Sequence, residues 1–344
     1  MGKLTKESKI AVVLIVVVLI AALASAAYVL ADDNENKKKI ILVIDEPDVG
    51  EGSYGELVWK GIESVSSRAD VSYIADERDM KSKLDDAVSK NADIIWAVSS
   101  ITPQAVLDSA KEHPAITYIL VDFEAEEQID NLITLSYNSH ESSFLGGCAA
   151  AFNTQSNTVG FIGGRESEVI EAFECGYKAG VLYASKIIGQ EIAVQVAYAN
   201  SFSDPEIGKQ LGREMYQTGC DVIFQAAGST GVGVIDIAKD KEFDKWVIGV
   251  DTDQEHLAPD NVLTSVVKEV TKAVELVNER LLDGENLGGQ NIIYDFSNGA
   301  EGIVKGNLSD EQYNKIMEIK NLIASGEIKV PYDEQSYQEF SSKD

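Results

Sequence analysis

Cysteine, histidine, proline and positive charge are all scarce in this 344-residue chain. Its three cysteines, Cys148, Cys175 and Cys220, form no CxxC pair and no even framework, which argues against a zinc site and a disulfide scaffold. Buried thiols are the expected state. The three histidines, at 113, 140 and 256, have no metal-ligand spacing, so no metal or other cofactor is expected. Only 6 prolines accompany 44% apolar and 25% charged residues, a composition that excludes a disordered tail, a collagen-like rod and a multi-pass membrane protein. Basic residues number 29 against 57 acidic ones, for a net charge of -28. Such a surface repels phosphate backbones, so no nucleic acid is expected among the partners. Motifs for catalysis are missing as well. HExxH and a P-loop do not occur, and a GxSxG elbow fails because Glu51 stands two residues before Ser53.

What is present begins with an uncharged run. Ile10 to Leu30 contains 21 residues without a charge, preceded by Lys3, Lys6 and Lys9. That length crosses a bilayer as a helix, and its basic flank belongs on the cytoplasmic side. The expectation is a membrane anchor that leaves the acidic remainder outside the cytoplasm. A cleaved signal peptide, and hence a secreted protein, is the rival, because Ala24, Ser25 and Ala26 form an A-x-A-like site. Residues 1–38 are therefore read as anchor or signal segment plus a polar tether.

From Lys39 onward, short β-branched runs alternate with segments of helical periodicity. The strand candidates are 40–44, 71–74, 94–98, 117–121, 158–162, 192–198, 222–225 and 246–250. Helix candidates lie near 55–66, 80–90, 103–112, 141–153, 169–187, 205–217 and 232–240, with a further one from Ser309 to Ser325. This is an α/β pattern of parallel sheets covered on both faces. The alternation breaks after Val121, where Leu132 to Leu135 follows with no helix between, and then starts afresh. Two doubly wound lobes account for the break.

In open parallel sheets a ligand sits beyond the carboxyl ends of the strands. The residues found there are Asp45, Ser99 with Ser100, Asp122, Phe202, the run Gly228-Ser229-Thr230-Gly231, and Asp251. Carboxylates accept hydrogen bonds from hydroxyl and amine groups and repel anionic ligands. Phe202 and Tyr54 offer faces for a flat ring. The set fits a neutral, ring-bearing polyol, a nucleoside more than a nucleotide.

Several stretches, in order, carry a resemblance: SFLGGCAAAF (143–152), VGFIGGRES (159–167), FECGYKAGV (173–181), YANSFSD (198–204), GCDVIFQAAGSTGVGV (219–234), WVIGVDTDQ (246–254), VLTSVVKEV (262–270) and SGEIKVP (325–331). Together they resemble the basic membrane protein family, the PnrA-like, purine-nucleoside-type substrate-binding proteins of ABC transporters. The resemblance covers essentially residues 39 to 331. It implies a periplasmic-binding-protein type I fold with two lobes joined by three crossing segments. Lobe one is expected at 39–138 plus 252–284, and lobe two at 139–251 plus 285–344. The resemblance also implies capture of a small-molecule ligand by closure of the lobes and delivery to an ABC permease and ATPase complex, with no chemistry done on the ligand. Residue by residue, it puts the family's first stacking aromatic on Tyr54, within Ser53-Tyr54-Gly55 where the family pattern has Phe and Asn after the Ser. The second aromatic falls on Phe202, the base-reading carboxylate on Asp122, the ribose-binding Asp on Asp251, the lysine of the SVxK motif on Lys268, and a backbone approach to the sugar on Gly228. A sensor that signals to a membrane partner, and a nucleoside hydrolase using Asp45, Asp122 and Asp251, are the readings that remain beside it.

Overall fold

The computed structural model describes residues 37–47, 49–50, 53–98, 102–297 and 299–342. The uncharged run from Ile10 to Leu30 and the expected site residue Ser99 lie outside the described residues. Among those described, no helix is long and apolar enough to cross a membrane.

Among the described residues the strands form two six-stranded sheets. The first is ordered β11-β5-β4-β3-β1-β2, from strands β1 (Lys38–Ile44), β2 (Ala69–Ile74), β3 (Ile94–Val98), β4 (Thr117–Val121), β5 (Leu132–Tyr137) and β11 (Asn291–Tyr294). The second is ordered β12-β10-β9-β8-β6-β7, from β6 (Thr158–Gly163), β7 (Ala193–Tyr198), β8 (Val222–Ala226), β9 (Trp246–Asp251), β10 (Val262–Lys268) and β12 (Glu301–Ile303). Pairing is parallel throughout except between β10 and β12.

The helices are α1 (Tyr54–Glu63), α2 (Met80–Ser89), α3 (Pro103–Glu112), α4 (Ser139–Asn153), α5 (Glu168–Ile188), α6 (Pro205–Gln217), α7 (Ser229–Ala238), α8 (Val270–Leu282), α9 (Asp310–Ala324) and α10 (Glu334–Ser341). Their starts are written in the sequence. Ser53, Asp79, Ser167 and Asp204 each accept a hydrogen bond from a first-turn N–H, and Pro205 occupies the first turn of α6. Ser309 and Gln312 close a capping box on α9.

Because side chains alternate across a strand, β1 feeds two cores at once. Ile40, Leu42 and Ile44 pack with Val58 of α1 and Val274 of α8, whereas Ile41 and Val43 pack with Leu84 of α2 and Val106 of α3. The second sheet divides the same way: Phe161 packs towards Phe144 and Tyr177, and Ile162 towards Met215 and Val234. Parallel strands covered on both faces are apolar along their whole length for this reason.

Helices α4 and α5 touch backbone to backbone. A Cβ on Gly147 would stand 2.2 Å from the Tyr177 carbonyl oxygen, and one on Gly180 would stand 2.0 Å from that of Phe144. The glycines of SFLGGCAAAF and FECGYKAGV are thus a packing device. All three cysteines are buried free thiols.

Three segments pass between the sheets, at Asn138, at Glu269 and between Tyr294 and Glu301. The second and third passages fall later than the sequence expectation. The resemblance places residues 252–268 in lobe one, yet β10 pairs with β9 through Val266↔Val250 in the second sheet. It places residues 285–294 in lobe two, yet β11 pairs with β5 through Ile292↔Leu135 in the first. Each chain segment completes its strand in the sheet where that strand has a hydrogen-bonding edge, and only then crosses.

Candidate functional site

A cavity with about 620 Å³ of empty space lies between the carboxyl ends of the two sheets. From the first half come Asp45 and Glu46 after β1, Val98 of β3, Val121 and Asp122 at the end of β4, and Tyr54, the first residue of α1. From the second come Ala226 and Gly228 after β8, Val250 and Asp251 at the end of β9, Lys268 closing β10, Phe202 from the loop after β7, and Val169, Ile170 and Phe173 from the first turns of α5. Seven of the nine residues singled out from sequence therefore line one space: Asp45, Tyr54, Asp122, Phe202, Gly228, Asp251 and Lys268. Ser53 does not line it. Its side chain is 2% exposed and caps α1, accepting from the Glu56 N–H at 3.1 Å, so it orients Tyr54 from behind.

Asp122 and Asp251 occupy corresponding positions at the ends of the fourth strand of each half. Both adopt left-handed backbone, with φ 56° and 64°. That conformation is uncommon outside glycine and turns the chain so that both carboxylates meet one cation. The Lys268 Nζ stands 3.5 Å from Asp122 Oδ1 and 3.9 Å from Asp251 Oδ1. It also lies 5.3, 5.2 and 4.8 Å from the ring centres of Tyr54, Tyr137 and Phe173. Burial works against the charge on Lys268, but Asp122, Asp251 and Glu301 outweigh it and leave its pKa raised. Asp251 is pushed up to about 6, by burial first and by Asp122 second, against the pull of Lys268. The Tyr54 hydroxyl is held protonated by burial and by Asp122 beside it.

Phe202 has a prepared seat. A Cβ on Gly164 would come within 2.1 Å of its ring, so the glycine after β6 makes the space the ring fills. Its carbonyl accepts from the Thr230 N–H at 3.0 Å, and the Thr230 hydroxyl accepts from the Asp204 N–H at 2.9 Å. Gly228, at φ 56°, lies against that carbonyl, where any side chain would be strained. The run Gly228-Ser229-Thr230-Gly231 is thus the start of α7, three residues earlier than its periodicity indicates, and it clamps the aromatic loop.

Beneath Asp251 a buried amide network fixes the strand ends. Gln225 Nε2 donates to Gln254 Oε1 at 2.8 Å, which also accepts from the Val250 N–H at 3.0 Å, while the Gln254 N–H donates to the Ser265 hydroxyl at 3.0 Å. Sequence reasoning missed Gln254 in this role, and missed Glu46, Val169, Ile170 and Phe173 on the cavity wall. The last three sit on a helix start and not on a strand end, so the strand-end rule did not reach them. Among the described residues no group of three or more His, Cys, Asp and Glu side chains is arranged to hold a metal ion.

Residues 38–334 match a family model described as ABC transporter substrate-binding protein PnrA-like. The chain is 37% identical over 295 residues to Basic membrane protein B of Borrelia garinii subsp. bavariensis, covering 84% of this chain and 82% of that protein. It is 34% identical over 315 residues to the CD4+ T-cell-stimulating antigen of Listeria monocytogenes, covering 84% and 87%. Among solved structures, an ABC transporter solute-binding protein from Aeropyrum pernix superposes with TM-score 0.80 at 23% identity over 88% of this chain and 96% of that one, a likeness that speaks for the shared fold.

Proposed function

The chain belongs to the PnrA-like family of ABC transporter substrate-binding proteins, and from that premise we propose that it captures a nucleoside outside the cytoplasm and hands it to a permease. One observation carries the choice of ligand. Asp122 and Asp251, one from each half, are held on a single lysine at the floor of a cavity walled by aromatic rings from both halves. Such a floor accepts the hydroxyl and amine hydrogens of a sugar and base, and the surplus of carboxylates over Lys268 repels a phosphate. Tyr54 and Phe202, on different halves, supply faces for the base, with stacking worth about 1 kcal/mol per aromatic pair beyond the area buried.

Because the two halves meet through three chain passages, each contributes part of the binding energy only when the cleft is shut. The ligand then favours the closed state by its differential affinity, and the permease reads that state. No step in this scheme alters the ligand. The uncharged run from Ile10 to Leu30 would tether the receptor to the membrane it serves.

The reading is tested by thermal-shift and calorimetric titration of the full chain with nucleosides, free bases, ribose and nucleoside monophosphates. A rise in melting temperature with nucleosides and none with monophosphates is expected, since a ligand stabilises the state it binds. Release of free base on incubation with a nucleoside would replace the receptor by a hydrolase. A membrane kinase or other signalling protein that binds the closed form, in place of a permease, would make the protein a sensor.

A further inference from the structure

Glu301 is the acid for which the site has no obvious use. It opens β12, just after the third passage between the halves, and its antiparallel register partner is Lys268, just before the second. Tyr137, which ends β5 at the first passage, lies 5.2 Å from the Lys268 Nζ by its ring centre. One residue from each passage thus meets in a single buried cluster. The Glu301 side chain belongs to a residue only 3% exposed, and neither of its carboxyl oxygens has a hydrogen-bond partner. The neighbouring Ser142 hydroxyl, whose proximity works to lower the Glu301 pKa, is directed instead at the Ser139 carbonyl at 3.3 Å.

The charged and titratable groups facing Glu301 come from every element packed on it. They are Lys268 of β10, Asp122 after β4, Tyr137 of β5, Glu141 of α4 and Lys320 of α9. Lys320 spends its ammonium on the Glu301 main-chain carbonyl at 3.2 Å. Burial, with Glu141 and Asp122, raises the carboxyl to about 8 against the pull of Lys268. An ionised carboxylate without partners in such a place is costly, whereas the acid form is tolerated.

We propose that Glu301 is a positioning residue for ligand capture: while neutral it leaves the Lys268 ammonium to Asp122 and Asp251 on the cavity floor, and once ionised it draws that ammonium away from them. The inference rests on the reading of the cavity as the ligand site. Its chemistry is a charge count. One ammonium serves two carboxylates at the floor, and a third anion behind it competes for the same cation.

The test uses the full chain, Glu301→Gln and guanosine as probe. In calorimetry the wild-type affinity is expected to fall about tenfold from about pH 7 to about pH 9, the span over which the acid ionises, while Glu301→Gln matches wild type at the lower pH and stays flat. A variant that keeps the wild-type pH profile, or that has already lost tenfold at about pH 7, overturns the proposal. The second arm needs no ligand: infrared spectra of the unliganded wild type are expected to show a protonated-carboxyl band that persists at about pH 7, disappears by about pH 9 and is missing from Glu301→Gln. No such band also overturns it, even where Glu301→Gln does not fold. If guanosine fails to bind at any pH, it is the receptor reading that falls, and the infrared arm still decides whether Glu301 carries the proton.

Discussion

The two halves share one strand order and differ in what they place at its carboxyl edge. After the first strand of each half, β1 presents Asp45 and Glu46, whereas β6 is followed by Gly164, whose bareness seats the Phe202 ring. The fourth strands agree, each ending in a left-handed Asp, Asp122 and Asp251. The fifth strands differ again, with Tyr137 closing β5 and Lys268 closing β10. The outermost strands differ in direction: β11 runs parallel to β5 and β12 antiparallel to β10. The first half therefore supplies most of the negative charge of the cavity, and the second supplies its cation and two of its rings. What the comparison teaches is that a duplicated scaffold fixes where ligand groups stand, while its strand-end residues decide what each half can recognise.

Removing the cation should break this division of labour most severely. In Lys268→Met two largely buried carboxylates lose their shared partner, and loss of one member of a buried pair costs about 3–5 kcal/mol. Urea unfolding at neutral pH is expected to show a loss of that order together with loss of ligand binding. A loss below about 1 kcal/mol would mean that the two halves are not tied through Lys268.

The aromatic contribution of the second half is sharpened by two substitutions. Phe202→Ala should weaken nucleoside binding by about 2 kcal/mol or more without unfolding the protein, as truncation of a central aromatic does. Gly164→Val should approach the same loss, because its side chain would occupy the volume of the Phe202 ring. Calorimetry on both checks this, and unchanged affinity in Gly164→Val would separate the ring from its seat.

The paired aspartates are distinguished by pH. Asp251 is raised to about 6 by burial, by Asp122 and against Lys268, and only its ionised form accepts at both oxygens without donating. Nucleoside affinity should therefore fall as pH drops below about 6, approaching tenfold per unit, and Asp251→Asn should remove that limb. The stability linkage has the opposite sense. The folded state holds this proton more tightly than the unfolded state, so the contribution of Asp251 is full below about pH 4 and is lost as pH rises through about 6. The smallest effect is a difference: Asp251→Ala should weaken binding of a nucleoside more than of its free base, since a lost hydroxyl partner matters only where a sugar is present. Equal losses would detach the second half's carboxylate from the sugar.

Much of this arrangement is legible in the sequence because both signals behind it are local. Strands β1, β3, β4, β6, β8 and β9 are continuous apolar runs, and Asp204-Pro205 or Ser309 through Gln312 announce their helices. The strand-end rule then finds Asp45, Asp122 and Asp251 unaided. What it could not supply is pairing. The sheet membership of β10, β11 and β12 is decided by a hydrogen-bonding edge far away in sequence, so the second and third passages fall later than local pattern indicates. Ser53 belongs to the family signature with Tyr54, and its hydroxyl is spent capping α1, a role set by the helix start and not by a strand end. Phe173 and Glu301 were invisible for a related reason: one projects from a helix face and the other from a three-residue strand, and only the fold brings both to Lys268.

The central claim is that one ligand must engage both halves at once, its ring between Tyr54 and Phe202 and its sugar at Asp251. Calorimetric titration of the full chain with guanosine, guanine and ribose tests it directly. The account predicts that guanosine binds at least about 100-fold tighter than either fragment, a difference of about 2.7 kcal/mol that neither half supplies alone. Guanine binding as tightly as guanosine, or no saturable heat from any of the three, would contradict it.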